Sequence, residues 1–263
     1  MILVSGANGG LGKAITQALK VPFLKGSSTL PEDPYTRRVD FNSPGNMNFS
    51  GINKLLIIST MAEHRYMQHK NAIDAAKAQG VKHIVYTSTA LENIQTSHVK
   101  DLMYSHFQTE EYLKQSGLKY TIVRNTMYAE AIPQILHPLK TGEFLPSGVG
   151  KVPFALRSEL GEAIAAVLSL KGHENKTYHL MGDTAYSFEE VVRAKQPQTQ
   201  VFKTLAVEEY ERRLHALPDI VKYLYKGTVL DILDGQYEIP QDAITLGTLL
   251  GRPTANLKRL LSI

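Results

Sequence analysis

Residues 1–15, Met-Ile-Leu-Val-Ser-Gly-Ala-Asn-Gly-Gly-Leu-Gly-Lys-Ala-Ile, constrain this chain more than any other stretch. Ile2, Leu3 and Val4 form a short apolar run rich in β-branched side chains, the pattern of a strand buried on both faces. Gly6, Gly9 and Gly12 follow at G-x-x-G-x-x-G spacing, and Ala14, Ile15, Ala18 and Leu19 then recur at helical intervals. Strand, glycine turn and helix in that order aim a helix N-terminus, with its free N–H groups, at a pyrophosphate. Gly6 permits the tight turn, Gly9 admits phosphate to the backbone, and Gly12 lets the helix pack closely on the strand. An ordinary glycine-rich βα turn is the competing reading. The strand at the start and the helix directly after it favour a dinucleotide loop formed by Gly6, Ala7, Asn8, Gly9, Gly10, Leu11 and Gly12.

The pattern that follows is an alternation of strands and helices. Val21–Leu24 reads as a second strand ending at Lys25-Gly26, with Pro22 marking an early or edge position. Arg38–Phe41 reads as a short strand, 54–60 as a stronger one, 66–79 as a helix stopped by Gly80, and 81–87 as another strand. Residues 89–100 carry little pattern. A helix over 101–116, closed by Gly117, leads to a strand over 120–124. With right-handed crossovers this alternation builds a Rossmann-type, doubly wound parallel sheet in an α/β fold. The expected division is a dinucleotide-binding domain over 1–125 and a smaller mixed α/β lobe over 126–263. The chain is expected to return to the sheet at about 158–182, through a helix over 158–170 and a strand over 177–181. Prolines 133, 138, 146 and 153 punctuate 126–155, helices are expected over 187–195 and 206–216, and 220–260 is mixed.

Composition narrows the function classes. The 263 residues suffice for a substantial core, and 43% hydrophobic with 21% charged content describes an ordinary globular protein. There is no Cys, which removes disulfides and cysteine chemistry and fits a cytoplasmic setting. The start lacks a signal-peptide pattern, and no apolar run approaches the ~20 residues of a membrane span. Lys and Arg are scattered, so no nucleic-acid surface is expected, while the net charge of +4 suits an anionic cofactor. His64 and His69 have no carboxylate at ligand spacing and no H-E-x-x-H occurs, so no metal site is expected.

The end of the second strand meets the adenosine ribose in a dinucleotide fold, where a carboxylate selects the free 2′-hydroxyl and a cation accommodates a 2′-phosphate. Leu24-Lys25-Gly26-Ser27-Ser28 offers no carboxylate there, although Glu32 and Asp33 lie a few positions on. Lys25 with the Ser27 and Ser28 hydroxyls favours NADPH over NADH.

The Gly6–Gly12 loop, Asn71–Val81, Tyr86-Thr-Ser88, Gly117–Asn125, Tyr178–Gly182 and Gly251-Arg-Pro-Thr254 together resemble the NmrA-like branch of the atypical short-chain dehydrogenases. Within that branch they are most similar to the type 2 bacterial NAD(P)H:quinone oxidoreductases, and the likeness covers nearly the whole chain. It implies a Rossmann-type domain binding NADPH, a small C-terminal lobe and a cleft between them. It further implies that Lys25 stands where relatives often place an Arg for the 2′-phosphate. Ser59 and Thr60 would flank the cofactor, Thr87 and Ser88 would lie near the nicotinamide ribose, and Asn125 to Tyr128 would run beside the nicotinamide. Taken singly, each Ser or Thr is more often a helix cap or turn former.

Ordinary short-chain dehydrogenases use a Tyr with a Lys four residues on, and the Lys lowers the Tyr pKa. Here Tyr104 is followed at that spacing by Gln108, a neutral amide that cannot do so. Counting back from Gly117, His106 falls where the isoflavone-reductase relatives carry a catalytic Lys, and Glu110 shares its helical face. His106 could contact the ribose, donate a proton, or simply complete a hydrogen-bond network. Quinone reduction yields a resonance-stabilised phenolate that takes its proton from water, so it suits weak acid machinery. Met127, Tyr128, Ile132 and Phe144 could line a flat acceptor pocket, with core packing the alternative. The expectation is therefore NADPH-dependent hydride transfer to a quinone or similar flat electrophile, with His106 and Tyr128 as catalytic candidates. The alternative is a redox sensor of the NmrA type that binds NAD(P) without turnover. A homodimer or a regulatory protein partner fits either.

Overall fold

The computed structural model describes residues 1–29, 33–62, 64–146, 150–241 and 243–262. Its elements begin with β1 (Ile2–Ser5), α1 (Gly10–Ala18), β2 (Phe23–Ser27), β3 (Thr36–Arg38), β4 (Lys54–Ile57), α2 (Arg65–Ala78), β5 (His83–Thr89), α3 (Lys100–Gln115) and β6 (Lys119–Asn125). They continue with α4 (Ile132–Leu136), β7 (Glu143–Phe144), α5 (Arg157–Ser169), β8 (Lys176–Leu180), α6 (Phe188–Lys195), β9 (Lys203–Thr204), α7 (Val207–Arg213), α8 (Asp219–Leu233), α9 (Leu246–Leu250) and α10 (Leu257–Leu260). Two compact units result. The first holds residues 1–89, 105–125 and 157–180; the second holds 90–104, 126–156 and 181–263.

The first unit is built on a seven-stranded sheet in the order β3-β2-β1-β4-β5-β6-β8. Each neighbouring pair is parallel, with Val4 opposite both Lys25 and Leu56, and Val85 opposite Thr121. The strand order reverses on either side of β1, which places a switch point at the carboxyl ends of β1 and β4. One face packs Leu3, Leu55, Ile57 and Ile84 against Ile73, Ala76 and Leu113 of α2 and α3. α1 and α5 lie against each other so closely that a Cβ on Gly161 would fall 2.7 Å from the Ala14 carbonyl carbon. Only glycine allows that approach.

The second unit gathers Leu145, Phe154, Phe188, Tyr210, Val229 and Ile232 into its own core. Ile132, at 1% exposure, belongs to that core, so here the packing alternative describes the residue. A two-stranded parallel sheet pairs β7 with β9, and the buried Glu143 of β7 meets Arg213 and Lys203. Asp231 of α8 accepts from Ser97 Oγ and the His98 N–H, each at 2.7 Å, which ties down the poorly patterned 90–104 segment.

The structure moves several expected boundaries. β2 starts at Phe23 because Pro22 has no N–H for a ladder, and it runs on to Ser27. β3 ends at Arg38; Val39 still donates to Ser27 O at 2.9 Å, but the chain then turns and buries Phe41. Two-residue strands such as β7 and β9 carry no alternation and leave no trace in sequence. No helix among the described residues is long and apolar enough to cross a membrane.

Candidate functional site

The glycine turn closes as its spacing demands. Gly6 takes φ +62°, and the Gly9 N–H donates to Gly6 O at 3.0 Å. A Cβ on Gly12 would fall 2.1 Å from Gly6 O and 2.8 Å from Ala7 Cα, so no other residue fits there. A Cβ on Gly9 would meet only Gly6 O, at 3.4 Å, so its bareness is not a demand of the fold. α1 starts at Gly10 with no side-chain cap and no acidic residue in its first turn. Its first helical bond runs from Lys13 N–H to Gly9 O at 2.9 Å, which leaves the amides of Gly10, Leu11 and Gly12 without intrahelical partners. An uncapped, positively polarised helix end with bare backbone fits a diphosphate. Beside it, the Arg157 side chain of α5 lies across Gly10, where a Cβ would come within 3.3 Å of Arg157 Cδ and Nε.

A recess of about 250 Å³ opens from this turn. Gly6, Asn8 and Gly9 form one wall, Gly26 to Thr29 another, and Asp40, Asn42, Ile58, Thr60 and Gln68 complete it. Lys25 is not among these residues; it is exposed in mid-strand, because β2 continues through Gly26 to Ser27. Ser27 Oγ accepts from the Thr29 N–H at 3.2 Å, which shapes the turn after the strand. Of the nearby carboxylates, Glu32 lies outside the described residues, while Asp33 accepts from the Tyr35 N–H at 2.7 Å within its own turn.

At the carboxyl ends of β4, β5 and β6 the expected hydroxyl residues do meet. Ser5 Oγ accepts from the Ile58 N–H at 3.1 Å, and Thr87 Oγ1 accepts from the Ser59 N–H at 2.9 Å. These two bonds tie the chain leaving β4 to the ends of β1 and β5. Thr60 Oγ1 donates to Gln68 Oε1 at 2.7 Å. Ser88 Oγ donates to Glu110 Oε1 at 2.6 Å, and the same carboxylate takes both arms of Arg124, at 3.0 and 2.7 Å. Asn125, buried, ends β6 opposite Thr89.

His106 sits one helical turn before Glu110 on the buried face of α3, as the spacing predicts. Its Nδ1 bonds the Tyr86 hydroxyl at 2.8 Å. Burial, with the Arg65 guanidinium adding to it, pushes the His106 pKa well below the ordinary imidazole range. The same causes, in the same order, take His69 down to about 3. Both rings are therefore neutral near pH 7. Arg65 itself is 1% exposed, and its Nε and Nη1 have no hydrogen-bond partner. Nothing local in the sequence marks Arg65 as a buried arginine, and Tyr86 stands out there only as part of Tyr86-Thr-Ser88. Tyr104 and Tyr128 belong to the second unit, where the Tyr128 backbone bridges to Ala155.

Comparison with known proteins adds an independent line. A family model described as NAD(P)H-binding matches residues 46–146. The whole chain is 32% identical to quinone oxidoreductase 2 of Escherichia coli, covering 98% of that protein. It is 31% identical over 211 residues to an NmrA-like family domain-containing oxidoreductase of Aspergillus flavus, covering 72% of this chain and 68% of the other. The crystal structure of the Escherichia coli NADPH-dependent quinone oxidoreductase complexed with NADPH superposes with a TM-score of 0.84 at 31% identity, over 98% of this chain and 97% of that one. With a seven-stranded parallel sheet, an uncapped glycine turn and this full-length likeness, the chain belongs to the NmrA-like family of NAD(P)H-binding oxidoreductases.

Proposed function

We propose that the protein is an NADPH-dependent reductase that delivers hydride to a quinone or a similarly flat electrophile. What supports this most is the open glycine turn of a chain that matches an NADPH-bound quinone oxidoreductase along its full length. In this reading the amides of Gly10, Leu11 and Gly12 hold the diphosphate, and the turn Ser27-Ser28-Thr29 receives the adenosine ribose and its 2′-phosphate. Ser59, Thr60, Thr87, Ser88 and Asn125 flank the nicotinamide half, largely as positioning groups whose own hydrogen bonds fix the strand ends. NADPH would supply a hydride when bound; the one proton that completes the reduced acceptor comes from water.

His106 fits a neutral contact better than an acid. With Nδ1 on Tyr86 and its pKa well below the ordinary imidazole value, it is a neutral ring at pH 7 with no imidazolium proton to give. Tyr104 has Gln108 in place of a lysine. Such a site suits an acceptor whose reduced oxygen is stable as a phenolate and needs no strong general acid. The test is NADPH oxidation by the purified protein with a panel of quinones. Turnover with NADPH ahead of NADH supports the reading. Tight NADPH binding without turnover on any quinone would overturn it in favour of a sensor.

A further inference from the structure

We propose that Gln68 of α2 is a positioning residue for the adenine end of the cofactor: it seats the Asn42 side chain so that a donor edge, not an acceptor edge, meets the base. This rests on the NADPH reading above and names the side chains that meet the base within it. Every residue involved belongs to the first unit.

The recess at the glycine turn leaves one wall for the base. Gly6, Asn8 and Gly9 lie on the diphosphate side, and Gly26 to Thr29 on the side of the ribose and its 2′-phosphate. Thr87, Ser88 and Asn125, assigned to the nicotinamide half, do not line this recess. Its remaining wall is Val39 to Asn42 with Ile58, Thr60 and Gln68, and the remaining part of the adenosine half is the purine. Val39, Phe41 and Ile58 supply apolar surface for the faces of a flat ring. Asn42, Thr60 and Gln68 supply a polar edge.

That edge is a hydrogen-bond chain with a direction. Thr60 Oγ1 donates to Gln68 Oε1 at 2.7 Å, and Gln68 Nε2 donates to Asn42 Oδ1 at 2.9 Å. The Gln68 amide thus joins the segment after β4 to the segment after β3, which carry Thr60 and Asn42. Because Gln68 engages the Asn42 oxygen, Asn42 retains Nδ2, which can only donate and meets no acceptor among the described residues. Asp40 Oδ1 accepts from the Asn42 N–H at 3.0 Å, a local turn that fixes the backbone carrying this amide. The ring nitrogens N3 and N7 of adenine are acceptors, so they pair with an amide N–H and are repelled by an amide oxygen. The polarity that Gln68 imposes is the one that suits adenine.

The test is calorimetric binding of NADPH and of adenosine 2′-monophosphate, which shares the base and 2′-phosphate but has neither diphosphate nor nicotinamide. Gln68→Glu reverses the polarity. A carboxylate only accepts, so it still takes the Thr60 hydroxyl but now draws Asn42 Nδ2 and turns the Asn42 oxygen toward the base. Both Kd values should rise about tenfold or more, by the same factor. Gln68→Met, which removes the bridge and adds no charge, should raise both only about threefold. A bridge that merely held the fold would give the opposite order, since the carboxylate keeps both hydrogen bonds and the thioether keeps neither. In an Asn42→Ala background, Gln68→Glu should change either Kd by less than about twofold, because no amide is left to turn. A Gln68→Glu effect no larger than that of Gln68→Met would overturn the proposal. So would an effect undiminished in the Asn42→Ala background, which would be the added charge acting directly on the cofactor's phosphates. Wild-type protein that binds neither ligand would sink the cofactor reading itself and take this proposal with it.

Discussion

Gly9 and Gly12 are bare for different reasons, and substitutions should separate them. At Gly12 any side chain collides with backbone, so Gly12→Ala should cost about 2–3 kcal/mol of stability in urea unfolding, or prevent folding outright. At Gly9 the fold has room. Gly9→Val should leave the melting temperature within about 5 °C of wild type while raising the NADPH Kd at least about a hundredfold. Lys25 gives the opposite lesson. As the apparent strand end it looked like the 2′-phosphate cation, yet β2 runs two residues further and the recess meets Ser27 and Ser28. Lys25→Glu should shift the NADPH-to-NADH affinity ratio by less than about twofold, whereas Ser28→Asp, inside the recess, should shift it clearly toward NADH in parallel titrations. The glycine triplet was legible because its meaning is local. The strand end was less legible, because a strand ends where its neighbours stop pairing, here Ser5 opposite Gly26 and Arg38 opposite Ser27.

α1 and α5 show how much an element's position depends on a single small residue. Gly161 lets the two helices touch, so Gly161→Ala should force them apart and cost about 1–3 kcal/mol, measured by urea denaturation. Periodicity located α3 and α5 to within a residue of their observed ends, and it put His106 and Glu110 on one face of α3. It did not reveal what that face meets. Tyr86 for His106, and Ser88 with Arg124 for Glu110, come from β5 and β6, which reach α3 only through the crossover.

The molecule's response to acid follows from three imidazoles sealed in the first unit. His69 is held near 3 and His83 near 4, chiefly by burial, and His106 lies well below its ordinary value for the same reason. Unfolded, each takes its proton near pH 6.5; folded, each resists it. Stability is therefore full above about pH 6.5 and falls as the pH drops from there toward 3, each ring contributing a slope on the order of 1.4 kcal/mol per pH unit. Urea midpoints that stay constant between pH 7 and pH 5 would contradict this. The sequence alone determined the strand–glycine–helix start, the alternation that makes a parallel sheet, and the absence of the Tyr–Lys pair, because each is written in spacing along the chain. Only the tertiary structure decided which residues face the recess, that three histidines are buried neutral, and that Arg157 comes to rest on Gly10. Those depend on elements far apart in sequence that touch only after the sheet has twisted and its helices have packed.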